Sequence, residues 1–171
     1  MKALIIAGKY SQDIEVYYPL YRMQEEGWQV DIAVKGNEET FGVFGMKITP
    51  TVNLPLIFQA THNIVILTGG ARALEYLRQD NNLLNAITQF HKWGGVIGSI
   101  CHGTQLLISA GLVKGRKVSG YYSIKDDIIN AGGEFVDAPY VTDGRIVCCP
   151  HYKYLGPFMK EVIRVSNLSV S

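Results

Sequence analysis

The sequence predicts a single α/β domain built on a mostly parallel sheet with helices on both faces. Three observations predict it. Short, continuous apolar runs recur at residues 3–7, 63–67 and 96–100, as expected of strands buried on both faces. Each run stops at a glycine-bearing turn: Gly8, Thr68-Gly69-Gly70 and Cys101-His102-Gly103. Amphipathic stretches separate the runs, and alternating strands and helices favour a parallel sheet.

Taken in order, residues 3–7 form the first strand and residues 13–26 a helix closed by Gly27. Ile14, Tyr17, Tyr18 and Tyr21 supply its apolar side, and Pro19 should bend it or delay its start. Residues 28–34 are a second strand. Residues 40–55, punctuated by Gly42, Gly45, Pro50 and Pro55, read as a small hairpin excursion. A third core strand covers 63–67, and helices cover 72–78 and 81–93. After Gly94-Gly95 come the strand 96–100 and a helix from 102 to about 110. Residues 117–120 form a short strand and 125–130 a helix. Asp143-Gly144 is a hairpin turn between strands 140–142 and 145–149, and 155–166 is the last helix. No linker, repeat or low-complexity tract divides residues 1–171.

Composition narrows the function. The 171 residues are 47% apolar and 18% charged with a net charge of +1, an ordinary globular balance. Lys and Arg are dispersed, which disfavours nucleic acid as a partner. No apolar run is long enough for a membrane span. The N-terminal run is too short for a secretory signal and lacks a cleavage region. Three cysteines without such a signal point to a reducing cytoplasm, with thiols free, catalytic or redox-active.

In open α/β sheets, sites form beyond the carboxyl ends of the strands. The loops 8–13, 68–72 and 99–103 should meet there and bring Glu15, Gly69, Gly70 and Cys101 into one crevice. Ser99-Ile100-Cys101-His102-Gly103 has the form of a nucleophile elbow, in which a sharp strand-to-helix turn exposes the reactive atom. The helix N-terminus should lower the thiol pKa and favour the thiolate. Adjacent residues at a helix start point apart, so His102 should be badly placed to take the Cys101 proton. Glu15, arriving from another loop, has no such restriction. Buried beside a thiolate, it should be protonated and act as acid or base.

The chain resembles the ThiJ/PfpI family, and within it the PfpI-like intracellular protease branch. The resemblance rests on Asp13-Ile14-Glu15 with Pro19, Glu25-Glu26-Gly27, Thr68-Gly69-Gly70, Glu75 and Ser99-Ile100-Cys101-His102-Gly103. It extends through residues 125–132 and Glu134-Phe135-Val136-Asp137. It implies a flavodoxin-like three-layer sandwich of the class I glutamine amidotransferase type. Cys101 matches the reactive cysteine, Glu15 the acid that hydrogen-bonds it, and His102 the histidine after it. Glu75 matches a glutamate that reaches this histidine from a neighbouring subunit in a homo-oligomer. Tyr121 matches a tyrosine near the pocket, and the N–H groups of Gly70 and His102 an oxyanion site.

Glu75 could equally pair with Arg72 or Arg78 at helical spacing. Tyr121 and Tyr122 read as pocket wall. The chain departs from the branch at Gln12, where a glutamate is usual, and at 148–154, where a Ser-Arg-x-Pro-type loop is usual. Cys148, Cys149 and His151 then admit a local change of packing, a redox partner for Cys101, or a metal site. Three functions follow from the residues and the resemblance. One is attack on small reactive carbonyls and early glycation adducts, needing no cofactor. The others are peptide hydrolysis, and thiol sensing or chaperone-like action. Amidotransfer is disfavoured because no His-x-Glu follows His151.

Overall fold

A computed structural model describes residues 1–54 and 61–168; Pro55, the last punctuation of the expected hairpin excursion, lies outside them. The elements in chain order are β1 (Lys2–Ala7), α1 (Asp13–Glu25), β2 (Gln29–Val34), β3 (Thr40–Phe41), β4 (Lys47–Ile48) and β5 (Ile64–Leu67). There follow α2 (Ala71–Leu77), α3 (Asn81–Lys92), β6 (Val96–Ile100), α4 (Thr104–Ser109), β7 (Lys117–Val118) and α5 (Lys125–Asn130). The last are β8 (Glu134–Phe135), β9 (Val141–Asp143), β10 (Ile146–Cys149) and α6 (Leu155–Leu168).

The main sheet runs β2-β1-β5-β6-β10-β9. All neighbours are parallel except β9, which returns antiparallel on β10 through the Asp143-Gly144 turn. Strand side chains alternate between two packed layers, because successive residues of a strand face opposite ways. Leu4, Ile6, Val65, Leu67 and Ile97 pack against α2, α3, α4 and α5. Ala3, Ile5, Ile64, Ile66 and Val96 pack against α1 and α6. The predicted three-layer, flavodoxin-like sandwich is what forms. Strand order reverses between β1 and β5, where such sheets open a crevice.

Three local expectations are corrected. Helix α1 does not bury its predicted apolar side: Ile14 and Tyr21 are about half exposed, at 47% and 59%. The buried stripe is Glu15, Val16, Pro19 and Met23. Pro19 does not delay the helix, which begins at Asp13 and runs through it; the ring packs in the buried stripe while the carbonyl of Glu15 loses its partner. The strand expected over 117–120 is only β7, two residues long. It stands outside the main sheet and pairs in parallel with β8.

The hairpin β3–β4 is fixed to α1 by two side chains, Tyr17, whose hydroxyl donates to the Lys47 carbonyl, and Asp13. Asp13, 3% exposed, accepts from the Phe44 and Met46 N–H groups at 2.7 and 2.8 Å. Gly42 packs so closely that an added Cβ would sit 2.3 Å from Asp13 Oδ1. Asp13→Ala is expected to cost about 1–2 kcal/mol, because two part-buried N–H groups lose a carboxylate acceptor. A fall in the denaturant midpoint at constant slope would measure that loss.

Candidate active site

The crevice forms where the sequence places it. Glu15, on the first turn of α1, is fully buried. Its Oε2 accepts from the Gly69 N–H at 2.6 Å. Residue 69 must be glycine, because a Cβ there would lie 2.5 Å from Glu15 Oε2 and 2.9 Å from Cys101 Cβ. Gly70 adopts φ +101, a conformation that strains any other residue, and opens α2.

Cys101 takes φ +58, one of three non-glycine residues in the left-handed region among those described. That conformation costs roughly 1–2 kcal/mol and marks a true elbow. Residues 101–103 make one 3-10 turn before α4 begins. Gly103 is required there: a Cβ would lie 2.3 Å from the Leu67 carbonyl oxygen.

The left-handed turn overturns one expectation about His102. Its Nδ1 lies 3.4 Å from Cys101 Sγ within the same chain. Neighbours diverge on a regular helix, but Cys101 is not in regular helical conformation. On its other side, His102 Nε2 lies 3.3 Å from Ser123 Oγ. Nothing in the sequence marked Ser123. Glu75 stays outside the crevice of its own chain, exposed on α2. It pairs with neither suggested arginine. Arg72 stacks over the Tyr10 ring at 4.1 Å, and Arg78 donates to Ser109 Oγ at 3.1 Å.

Burial sets the electrostatics. It drives the Glu15 carboxyl up to about 8, against the Gly69 N–H and the Cys101 thiol, which favour the anion. Glu15 Oε1 is buried with no hydrogen-bond partner among the described residues. The Cys101 thiol is also pushed up, first by burial and then by the Glu15 charge. The N–H groups of His102 and Gly70 pull it down but do not win. The expected low thiol pKa is therefore not found at this elbow; desolvation exceeds the pull of the turn. Burial also lowers the His102 pKa, leaving a neutral imidazole at pH 7.

A cleft of about 400 Å³ opens over Cys101, with Gln12 at its edge. One wall is aromatic: Tyr121 lies 4.8 Å from the His102 ring and 6.0 Å from that of His151, which contacts Tyr152 at 4.0 Å. The departing loop after β10 thus borders the cleft through His151 and Tyr152. Val43, from the hairpin, closes another side and carried no signal in the sequence. The two extra thiols part company. Cys148 belongs to the layer under α3–α5, Cys149 to that under α1 and α6. Opposite faces of a strand cannot chelate one ion together, so a metal site using both is ruled out. Among the described residues, no group of three or more His, Cys, Asp or Glu is placed to hold a metal.

Together these features define a class, an α/β protein presenting a cysteine at a strand–helix elbow. The profile of the DJ-1/PfpI family matches residues 1–165. The chain is 37% identical over 169 residues to the deglycase TK1284 of Thermococcus kodakarensis, covering 96% of this chain and 99% of the relative. It is 34% identical over 165 residues to the deglycase PfpI of Pyrococcus furiosus, with the same coverage. The crystal structure of Drosophila melanogaster DJ-1beta superposes with a TM-score of 0.89 at 21% identity, over 96% of this chain and 90% of that one. The chain belongs to the DJ-1/PfpI family. Among the described residues, no helix is long and apolar enough to cross a membrane.

Proposed function

We propose that this DJ-1/PfpI-type enzyme acts on small reactive carbonyls, in the manner of a deglycase, through Cys101 with Glu15 as acid and base. One observation carries the reading: a buried carboxyl with one unpartnered oxygen and a pKa near 8 sits against the Cys101 thiol. A group of that kind both gives and takes protons near neutral pH. The names of the relatives and a cleft of about 400 Å³, room for a small molecule, support it.

The Cys101 sulfur adds to the aldehyde carbon. Ionised Glu15 takes the thiol proton and passes it to the carbonyl oxygen, leaving a hemithioacetal and the carboxylate again. The N–H groups of Gly70 and His102 stabilise the oxygen while it is charged. For a 2-oxoaldehyde, ionised Glu15 then removes the proton from the former aldehyde carbon and delivers it to the neighbouring carbon, while the hydroxyl proton passes from the first oxygen to the second. A thioester results, and water releases a 2-hydroxy acid and the thiol. An early glycation adduct passes its aldehyde to Cys101 in the same way and frees the amine. No added cofactor enters these steps.

The test is methylglyoxal consumption without glutathione, with the intact protein beside Cys101→Ala. Equal rates for the two proteins would sink the proposal for this substrate. The 3.4 Å contact between Cys101 and His102, with Ser123 behind the imidazole, favours a second reading as a cysteine peptidase. In that reading Glu75 would arrive from another copy of the chain. Peptide hydrolysis lost in His102→Asn but kept in Glu15→Gln would select it.

A further inference from the structure

The structure holds a second thiol within reach of the nucleophile. In the β6–β10 ladder, Cys149 pairs with Ile100, the residue immediately before Cys101. Paired strands lie about 4.8 Å apart and rise about 3.3 Å per residue, so the Cα atoms of Cys149 and Cys101 are about 6 Å apart. That falls inside the separation of about 4.4–6.8 Å that disulfides span.

Direction agrees with distance. Cys149 and Ile100 pack in the layer under α1 and α6. Strand alternation would send Cys101 to the opposite layer, but its φ of +58 turns the side chain back, and Cys101 packs in the layer of Cys149. Cys149 contributes to the field on the Cys101 thiol. Cys148, one residue earlier, packs on the far face. Cys149 is fully buried and donates to the His151 carbonyl at 3.2 Å. Cys101 is 8% exposed and lines the cleft. An oxidant in the cleft therefore meets Cys101 first.

We propose that Cys149 is a resolving cysteine that captures oxidised Cys101 as an intrachain disulfide. The oxidant is hydrogen peroxide. The Cys101 sulfur attacks one peroxide oxygen, the O–O bond breaks, and Cys101 becomes a sulfenic acid as one water leaves. The Cys149 sulfur then attacks the sulfenic sulfur. The S–O bond breaks, the S–S bond forms, and the departing hydroxyl leaves as a second water with the Cys149 proton. A dithiol reductant restores both thiols. The disulfide withholds the nucleophile and diverts it from irreversible oxidation, whichever reaction Cys101 carries out.

The test is non-reducing peptide mapping of the full chain after peroxide treatment. Trypsin places Cys101 in residues 93–114 and both other cysteines in residues 146–153. Intact protein should lose about 2 Da and yield these two peptides joined. Cys148→Ser should do the same. Cys149→Ser, whose hydroxyl can keep the bond to the His151 carbonyl, should give no joined peptide and instead gain about 32 Da at Cys101. Cys149→Ala repeats the test should the serine variant fold poorly. Sulfinic acid at Cys101 of the intact protein without joined peptides would overturn the proposal. So would joined peptides that persist in Cys149→Ser or appear only between chains. Because the readout is mass, failure of the carbonyl assay leaves it unaffected.

Discussion

Cys101→Ala is expected to bring methylglyoxal consumption down to the uncatalysed rate, a loss on the order of 10³-fold or more, as when other nucleophiles are removed. The fold should survive. Alanine keeps the Cβ of a residue already held at φ +58, and only one small buried sulfur is lost. Cys101→Gly sharpens the point. It should be equally inactive yet more stable than Cys101→Ala by roughly 1 kcal/mol, because glycine occupies the left-handed region without strain. Melting curves of the two variants measure that difference. If glycine gave no gain, the elbow would not store strain at Cys101. If alanine kept turnover, the nucleophile would lie elsewhere.

Glu15→Gln is expected to act twice. Turnover should fall by about 10²–10⁴-fold, because glutamine cannot relay a proton. Stability should change in a pH-dependent way. The carboxyl ionises at 4.5 when unfolded and near 8 when folded. The folded protein holds the proton more tightly, so the stabilisation is complete below pH 4.5 and lost as pH rises through 8. The full difference is on the order of 5 kcal/mol. Glutamine can keep the oxygen that accepts from Gly69 and carries no charge. The variant should therefore match the parent near pH 4.5 and outlast it progressively toward pH 8. Denaturant midpoints across that range give the answer, and two parallel curves would mean that Glu15 is not the buried acid described. The raised thiols of Cys101 and Cys149 do not confuse the window, because they act above the ordinary thiol pKa of 9.0.

The main strands and the elbow were legible because their signals are local. β1, β5 and β6 are buried on both faces and read as unbroken apolar runs, and each ends in small residues where the backbone must turn. The burial of Glu15 and the rise of its pKa were expected from its place at the start of α1, facing the loops after β5 and β6. The face of α1 was not legible. The helix buries a carboxylic acid completely and exposes a tyrosine, so hydropathy points the wrong way where a polar group is placed inside. The contact between Cys101 and His102 was hidden in a backbone angle, and residue type does not reveal a left-handed cysteine. Val43 reaches the cleft and Ser123 reaches His102 from elements brought over by tertiary packing, and no spacing in the chain announces that. β7 read as a strand by composition, but with only two paired residues it joins β8 instead of the main sheet.

The pinning of the β3–β4 hairpin by Asp13 has a consequence for how this site can change. The proposed nucleophile, acid and oxyanion donors gather beyond the carboxyl ends of β1, β5 and β6, where a Cβ at Gly69, Gly70 or Gly103 would collide with backbone or with Glu15. Much of the cleft wall comes instead from peripheral pieces: the hairpin tip with Val43, the turn at Tyr121, and the loop carrying His151 and Tyr152. The hairpin is held by main-chain bonds to Tyr10 and Ser11 and by the side chains of Tyr17 and Asp13, the latter two residues before Glu15. Substrate range can thus drift by exchange of rim segments while the reaction stays fixed, so relatives with one chemistry can diverge in what they admit.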